Sequence, residues 1–439
     1  MFTGCIDGPA PGISNSGGGC MKKNILALII VFLFCAFLRA TDVRISGLGL
    51  VNFMVKDDDT LMQIYPGQIT NYQNEIEMST VTTTGFIDYA IDSMTLGFQY
   101  LNYSGPVTSP APNSTSILNS ASPVNPAAIY APTKSFNLIF GKKLDDTSSA
   151  ALVLAYAGGA DEGENSQLNP TTPSYTYDTK QGSYDFGLGL GYSLKNFLDI
   201  GLQAGVPYIN NTGYDNYSFG SVAEQPYMYE TMKMTYGIYG KLNARVLVLP
   251  LIIGISSGVV SEKIDDFQQK DNNNTGTFTA LNDINTQYSD IYRNYSFSGG
   301  ASLNLQISPS LVIIPAININ YTYIMSEQIT ANFDNPANNT NTETDTGSWT
   351  IPAYIAAEYK INDYLTWRGG FRSYLYYLTA GRTYNYLYFP NNYYSFVTQT
   401  NFAPAMMSGL SVYIGPLAID GGITFGSGLT SNLAAVLKF

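Results

Sequence analysis

Arg368 and Arg372 stand on an alternating stretch in which Leu365, Trp367 and Phe371 take the opposite positions. Side chains on a strand alternate between faces, so the two arginines share one face and the apolar residues share the other. Across the turn residues Asn362-Asp363, the arginine face carries Glu358 and Lys360. Fixed charges of both signs on one face of paired strands have two uses. They filter solutes by charge where that face lines a passage, or they form an ion-pair lattice that fixes the strands. Asp185, Asp199, Lys233, Lys241 and Asp420 fall on polar faces of other stretches in the same way. A separate acidic run, Asp57-Asp58-Asp59, offers oxygen ligands of the kind calcium takes; a solvated acidic turn is its plainer reading.

Much other chemistry is excluded. The chain has no histidine, and its three cysteines, Cys5, Cys20 and Cys35, all precede residue 40. General acid–base catalysis through imidazole, thiolate nucleophiles and the favoured zinc ligands are therefore missing after that point. No catalytic residue, metal centre or cofactor is expected. A net charge of −12 gives no basic surface for nucleic acid.

The elements that must position the charges repeat one unit, clearest at Ser183–Tyr208. Its first arm alternates Tyr184, Phe186, Leu188, Leu190, Tyr192 and Leu194 with Asp185, Gly187, Gly189, Gly191 and Ser193. After Lys195-Asn196, a second arm alternates Leu198, Ile200, Leu202, Ala204, Val206 and Tyr208 with Asp199, Gly201, Gln203 and Gly205. Each arm has one apolar face, and each is long enough for a tilted strand crossing a bilayer, which takes ~9–11 residues. Charged residues make up only 12% of the chain, where soluble proteins carry about 25%. No apolar run after residue 40 is long enough for a membrane helix. Few charges, 35 tyrosines and 41 glycines then point to strands in a membrane.

Met21-Lys22-Lys23, the apolar run Ile25–Leu38 and the small residue Ala40 read as a cleaved secretory signal peptide over 21–40. Residues 1–20 read as a start-site extension, residues 41–74 as a short lead-in or plug, and residues 75–439 as the barrel. Tight turns are expected near Asp92, Asp145-Asp146, Lys195-Asn196, Ala244-Arg245, Ser308-Pro309, Asn362-Asp363 and Gly415-Pro416. They alternate with long polar connections at about 105–132, 160–181, 209–227, 263–289, 327–346 and 380–394. Val246–Ile255 breaks the pattern, being apolar on both faces; either the lead-in covers its inner side or the interior is locally apolar. Counting back from Phe439 gives 16 strands, or 14 if the pair 75–81 and 84–91 does not span. The expected fold is all-β: a transmembrane, antiparallel up-and-down β-barrel of about 14–16 strands with an N-terminal plug.

The end of the chain, Leu437-Lys438-Phe439, resembles the aromatic assembly signal of bacterial outer-membrane barrels, which implies Phe439 as that signal. The stretch Arg44-Ile45-Ser46-Gly47-Leu48-Gly49, then Asp57-Asp58-Asp59, then Ile64-Tyr65-Pro66, resembles the opening of the FadL-like/PorV-like superfamily. Tyr65-Pro66-Gly67 stands in the place of that superfamily's Asn-Pro-Ala turn. The resemblance implies a plug built on Asp57, Asp58, Asp59, Tyr65 and Pro66, within a family of fatty-acid channels and secretion shuttles.

The reading is a porin-like protein of a Gram-negative outer membrane that lets small or hydrophobic solutes pass. The alternative is a non-conducting barrel that anchors partners or assists secretion. Expected partners are outer-membrane lipid and lipopolysaccharide, the barrel-assembly machinery and an unidentified small solute.

Overall fold

The computed structural model describes residues 43–48, 50–55, 61–79, 84–102, 134–167, 174–218, 225–270, 284–332, 340–385, 393–397, 404–426 and 428–439. The signal-peptide reading at 21–40, the extension at 1–20 and the Asp57-Asp58-Asp59 run lie outside these residues.

Among the described residues, the period-two stretches form eighteen strand segments. They begin with β1 (Glu75–Ser79), β2 (Thr84–Ile91), β3 (Met94–Asn102), β4 (Lys134–Lys143), β5 (Ser148–Gln167) and β6 (Ser174–Leu194). Next come β7 (Leu198–Ser218), β8 (Gln225–Val248), β9 (Leu251–Lys270), β10 (Ile284–Leu303), β11 (Leu305–Ser308) and β12 (Leu311–Asn332). The last are β13 (Thr340–Asn362), β14 (Leu365–Asn385), β15 (Tyr393–Val397), β16 (Ala405–Ile414), β17 (Leu417–Phe425) and β18 (Leu429–Lys438).

Every pairing is antiparallel, and all but β10–β12, β14–β16 and β1–β18 join consecutive strands; because β1 pairs with both β2 and β18, the sheet closes on itself. β10 and β11 both pair with β12 and form one strand of the ring, interrupted at Asn304. β15 and β16 both pair with β14 and share another place in the ring, so the eighteen segments make a sixteen-strand ring. This settles the sequence count at sixteen, with the 75–79 and 84–91 pair inside the ring.

Alternation sorts the two faces. Phe186, Leu188, Leu190, Leu202, Val206, Trp367 and Phe371 are exposed on the outer surface. Ser183, Asp185, Ser193, Asp199, Arg245 and Arg368 are buried on the other face. Against that second face lie the described parts of the N-terminal segment: helical turns at Val43–Leu48 and Leu61–Ile64, and 3-10 turns at Asn52–Met54 and Pro66–Asn71. Val43–Leu48 touches β13, β14, β16, β17 and β18; Asn52–Met54 touches β9 and β10; Pro66–Asn71 touches β3 to β7. Leu48, Met54, Leu61, Tyr65 and Ile69 are fully buried there.

Two expectations are corrected. The turn is not at Ala244-Arg245 but at Leu249-Pro250, with β8 continuing through both residues to Val248. Val246–Ile255 is therefore the tip of a hairpin rather than one strand. Its inner residues Leu247 and Ile252 face each other across the turn, and Phe53 of the N-terminal segment fills the space over Gly254. The apolar inner face is thus explained by its cover.

The second correction concerns the long connections. β5–β10 and β12–β14 run 20–24 residues each, well into the stretches read as loops. The Thr-, Tyr- and Asn-rich sequence there still satisfies a backbone ladder, which itself needs no apolar face.

Candidate functional site

Two polar clusters tie the N-terminal segment to opposite parts of the wall. In the first, Arg368 on β14 and Glu358 on β13 are direct cross-strand partners, with Arg368 Nε 2.7 Å from Glu358 Oε2. Arg368 Nη1 donates to Asp420 Oδ1 on β17 at 2.9 Å and to the Ser411 hydroxyl on β16 between them. Ser411 in turn donates to Asp420, and Arg368 Nη2 donates to the Tyr413 hydroxyl at 3.3 Å. Arg44 of the segment completes the group by donating from Nε to Glu358 Oε2 at 3.0 Å. Two arginines face two carboxylates here, so the charge balances locally.

In the second cluster Arg245 on β8 donates through Nε to Asp199 Oδ2 on β7 at 2.7 Å. Its Nη1 donates to the Val55 carbonyl at 2.8 Å, and its guanidinium lies 5.1 Å from the centre of the Tyr65 ring. Gln68 Nε2 donates to Ser193 Oγ at 2.9 Å and to Asp199 Oδ1 at 2.5 Å. Ser149 donates to the Gly67 carbonyl at 2.7 Å, and Ser302 to the Met54 carbonyl at 2.8 Å. The wall thus satisfies backbone acceptors of a segment with little regular structure, as buried carbonyls require.

Close approach is possible because the inner face is small where the segment touches it. A Cβ on Gly201 would overlap the Ile64 carbonyl, and one on Gly370 would overlap the Leu48 carbonyl. Glycine at these positions is what lets backbone pack on backbone.

The sequence candidates divide accordingly. Arg368, Glu358 and Asp199 are ion-paired and buried or half-buried. Asp185 is buried and accepts from the Tyr239 hydroxyl. Arg372 does not join them: it lies 5.8 Å over the Tyr374 ring, and its Nε has no hydrogen-bond partner among the described residues. Lys360 turns back to Asp363 at 2.7 Å on the exposed turn, and so stays out of the Glu358 cluster. Tyr65 and Pro66 are buried against the wall, and the Tyr65 hydroxyl has no partner among the described residues. Phe439 is exposed and donates its backbone N–H to the Asn74 carbonyl at 2.9 Å, beside a Lys438–Glu75 ion pair of 2.5 Å.

Arg245, Gln68 and Ser193 are cluster residues that the sequence did not single out. Arg245 continues the inward alternation of Lys241 and Asn243, a signal hidden by the apolar residues that follow it. Lys241 has no ion-pair partner among the described residues. It lines a cavity of about 50 Å³ beside Ile64 and Pro66, together with Asn137, Gln203 and Asn243. A larger trench of about 730 Å³, between Trp367, Leu410, Ile423 and Leu433, lies on the apolar outer surface and so is no part of an interior path.

No protein-family model matches the chain, and no curated protein does. Solved structures similar to it include the toluene transporter TodX of Pseudomonas putida, at 12% identity and TM-score 0.37, covering 91% of this chain and 97% of that one. The CymD monoaromatic hydrocarbon channel is similar at 11% identity and TM-score 0.38, covering 91% and 99%. A Pseudomonas aeruginosa FadL homologue is similar at 11% and TM-score 0.39, covering 91% and 98%. These scores lie below 0.5, and the barrel architecture rests on the strand pairing itself.

Proposed function

We propose that the chain is a channel of a bacterial outer membrane, through which small or hydrophobic solutes pass passively. The observation that carries this reading is the division of faces in a closed ring of sixteen strands: aliphatic and aromatic outside, polar and glycine-rich inside. A closed ring pairs each strand of its wall on both sides, which is what hydrocarbon demands of a spanning sheet. On this reading the segment 43–74 is a plug held by the Arg44–Glu358 and Arg245–Asp199 clusters. Lys241 and Arg372, without carboxylate partners among the described residues, are charges available to act on a solute. Arg368 and Glu358 serve the lattice instead.

Outer-membrane lipid and lipopolysaccharide are the surroundings, and the barrel-assembly machinery is the partner that Phe439 addresses. The proposed export signal predicts a mature protein that begins near Thr41, read by N-terminal sequencing of the membrane-inserted form.

The test of conduction is reconstitution into liposomes with a panel of sugars and fatty acids. Solute-dependent swelling or uptake is expected, and it should increase when residues 43–55 are deleted. No uptake from either form overturns the channel and leaves an anchoring barrel.

A further inference from the structure

The short-turn end of the barrel carries a polar cleft next to the Arg245–Asp199 cluster. Its volume is about 150 Å³, close to that of about five waters. It lies where the Pro66–Asn71 turn meets the β4–β5 and β6–β7 turns. Main-chain bonds brace those turns to their neighbours: Lys143 N–H donates to the Ser93 carbonyl at 2.8 Å, and Lys195 N–H to the Thr147 carbonyl at 2.7 Å. The frame is thus set by the wall itself.

The floor is made of buried hydroxyls. Ser149 and Ser193 line it and are 5% and 2% exposed. Both already donate, Ser149 to the Gly67 carbonyl at 2.7 Å and Ser193 to Asp199 Oδ1 at 2.5 Å. A hydroxyl has one hydrogen and two lone pairs, so this floor is left to accept.

The edge carries charges of both signs that do not meet. Lys143 and Lys195 line the cleft, exposed, with no ion-pair partner among the described residues. Asp146 lines it too and accepts no hydrogen bond among the described residues. Asp145 differs, because the backbone N–H groups and hydroxyls of Thr147 and Ser148 all donate to it at 2.6–2.7 Å. These donors hold its carboxyl well below the usual carboxylate range, and its charge is answered within its own turn.

Two ammonium groups and one unanswered carboxylate therefore stand over a floor of acceptor oxygens. A simple anion would engage the lysines and leave Asp146 and the floor without a donor. A simple cation would leave the lysines without an acceptor. A ligand that carries an oxyanion and an ammonium a few bonds apart meets both sets through charge-assisted hydrogen bonds.

We propose that this cleft binds a small zwitterion, with its oxyanion on Lys143 and Lys195 and its ammonium against Asp146 and the seryl oxygens. The cleft sits at the rim, so its occupancy does not depend on conduction.

The test is saturation-transfer NMR on the full chain in detergent, at low ionic strength so that exposed charges are little screened. Glycine, acetate and methylammonium serve as probes. Glycine should bind about tenfold or more tighter than acetate or methylammonium alone. The double variant Lys143→Gln, Lys195→Gln should weaken glycine by about tenfold without weakening methylammonium. Asp146→Asn should weaken glycine by a similar factor without weakening acetate. If either variant fails to assemble, the ranking of the three probes on the unaltered protein still decides. Acetate binding as tightly as glycine would make this a plain anion site, and methylammonium doing so a plain cation site; either overturns the proposal. No binding of any probe overturns it as well and leaves a solvated rim. Glycine binding that survives both variants unchanged places the ligand elsewhere, and the proposal falls.

Discussion

Arg44 and Glu358, 314 residues apart along the chain, meet at 3.0 Å between the N-terminal segment and β13. Their side chains are 25% and 23% exposed, whereas those of Arg245 and Asp199 are 2% and 1% exposed. Water screens the first pair, so Arg44→Ala should cost at most about 1 kcal/mol. Asp199→Ala strands a buried guanidinium and should cost about 3–5 kcal/mol. The temperature at which the detergent-solubilised barrel loses its fast-migrating unheated band should fall little for the first variant and far for the second. Equal falls would show that burial does not rank the two attachments.

Tyr65 gives a pH-dependent prediction with a defined sign. Burial raises its hydroxyl pKa well above the ordinary tyrosine value, because the charged form is desolvated. A folded-state value above the unfolded one means that this contribution is intact below about pH 10 and fades as pH rises beyond it. Tyr65→Phe removes an oxygen with no hydrogen-bond partner among the described residues, so it should leave stability at neutral pH equal or higher. Above about pH 10 the variant should keep its segment protected from amide exchange longer than the unaltered protein does. Identical alkaline profiles would remove Tyr65 as the sensitive group.

Arg372 and Arg368 should separate in single-channel recordings. Arg372→Glu reverses a charge that, among the described residues, neither pairs with a carboxylate nor holds the lattice, so cation preference should rise with the barrel intact. Arg368→Ala leaves Glu358 and Asp420 without their shared guanidinium and should impair assembly before selectivity can be read. Unchanged selectivity in Arg372→Glu would place that residue outside the conduction path.

The two faces of β14 offer a paired test at adjacent positions. Phe371 is exposed on the outer surface, and an arginine there would cost about 2–4 kcal/mol near a bilayer midplane. Phe371→Arg should therefore lower the amount of assembled barrel in the membrane fraction. Gly370→Leu should assemble but push Leu48 from the wall, seen as faster amide exchange over Val43–Leu48. The reverse pattern would mean that the two faces are assigned the wrong way round.

The sequence disclosed the wall better than its contents. Phe186, Leu188 and Leu190 face outward as their alternation requires, because a period of two is local information. The alternation faded where β5–β9 leave the apolar belt, so their upper halves read as loops although the backbone ladder continues. Arg245 was read as part of a turn because the apolar residues after it mask the inward pattern. The Gln68–Asp199 bond joins residues 131 apart in the chain, and no local pattern encodes such a meeting. Lys360 shows the opposite failure: its face was readable, but its long side chain reached back to Asp363.

The seam between β1 and β18 bears on the order of assembly. The ring shuts where Glu75 stands opposite Lys438, between the two strands furthest apart along the chain. The segment that leads into β1 is gripped by β6–β8 on one side and by β13 and β14 on the other. Threading it in afterwards would mean passing a bulky, partly polar stretch through a finished ring. The cheaper route is for the early strands to curl around their own leader, so that the leader acts as a mandrel and the seam closes over it last. Folding-rate measurements should then find β1–β18 pairing slower than β6–β7 pairing, whatever the lipid.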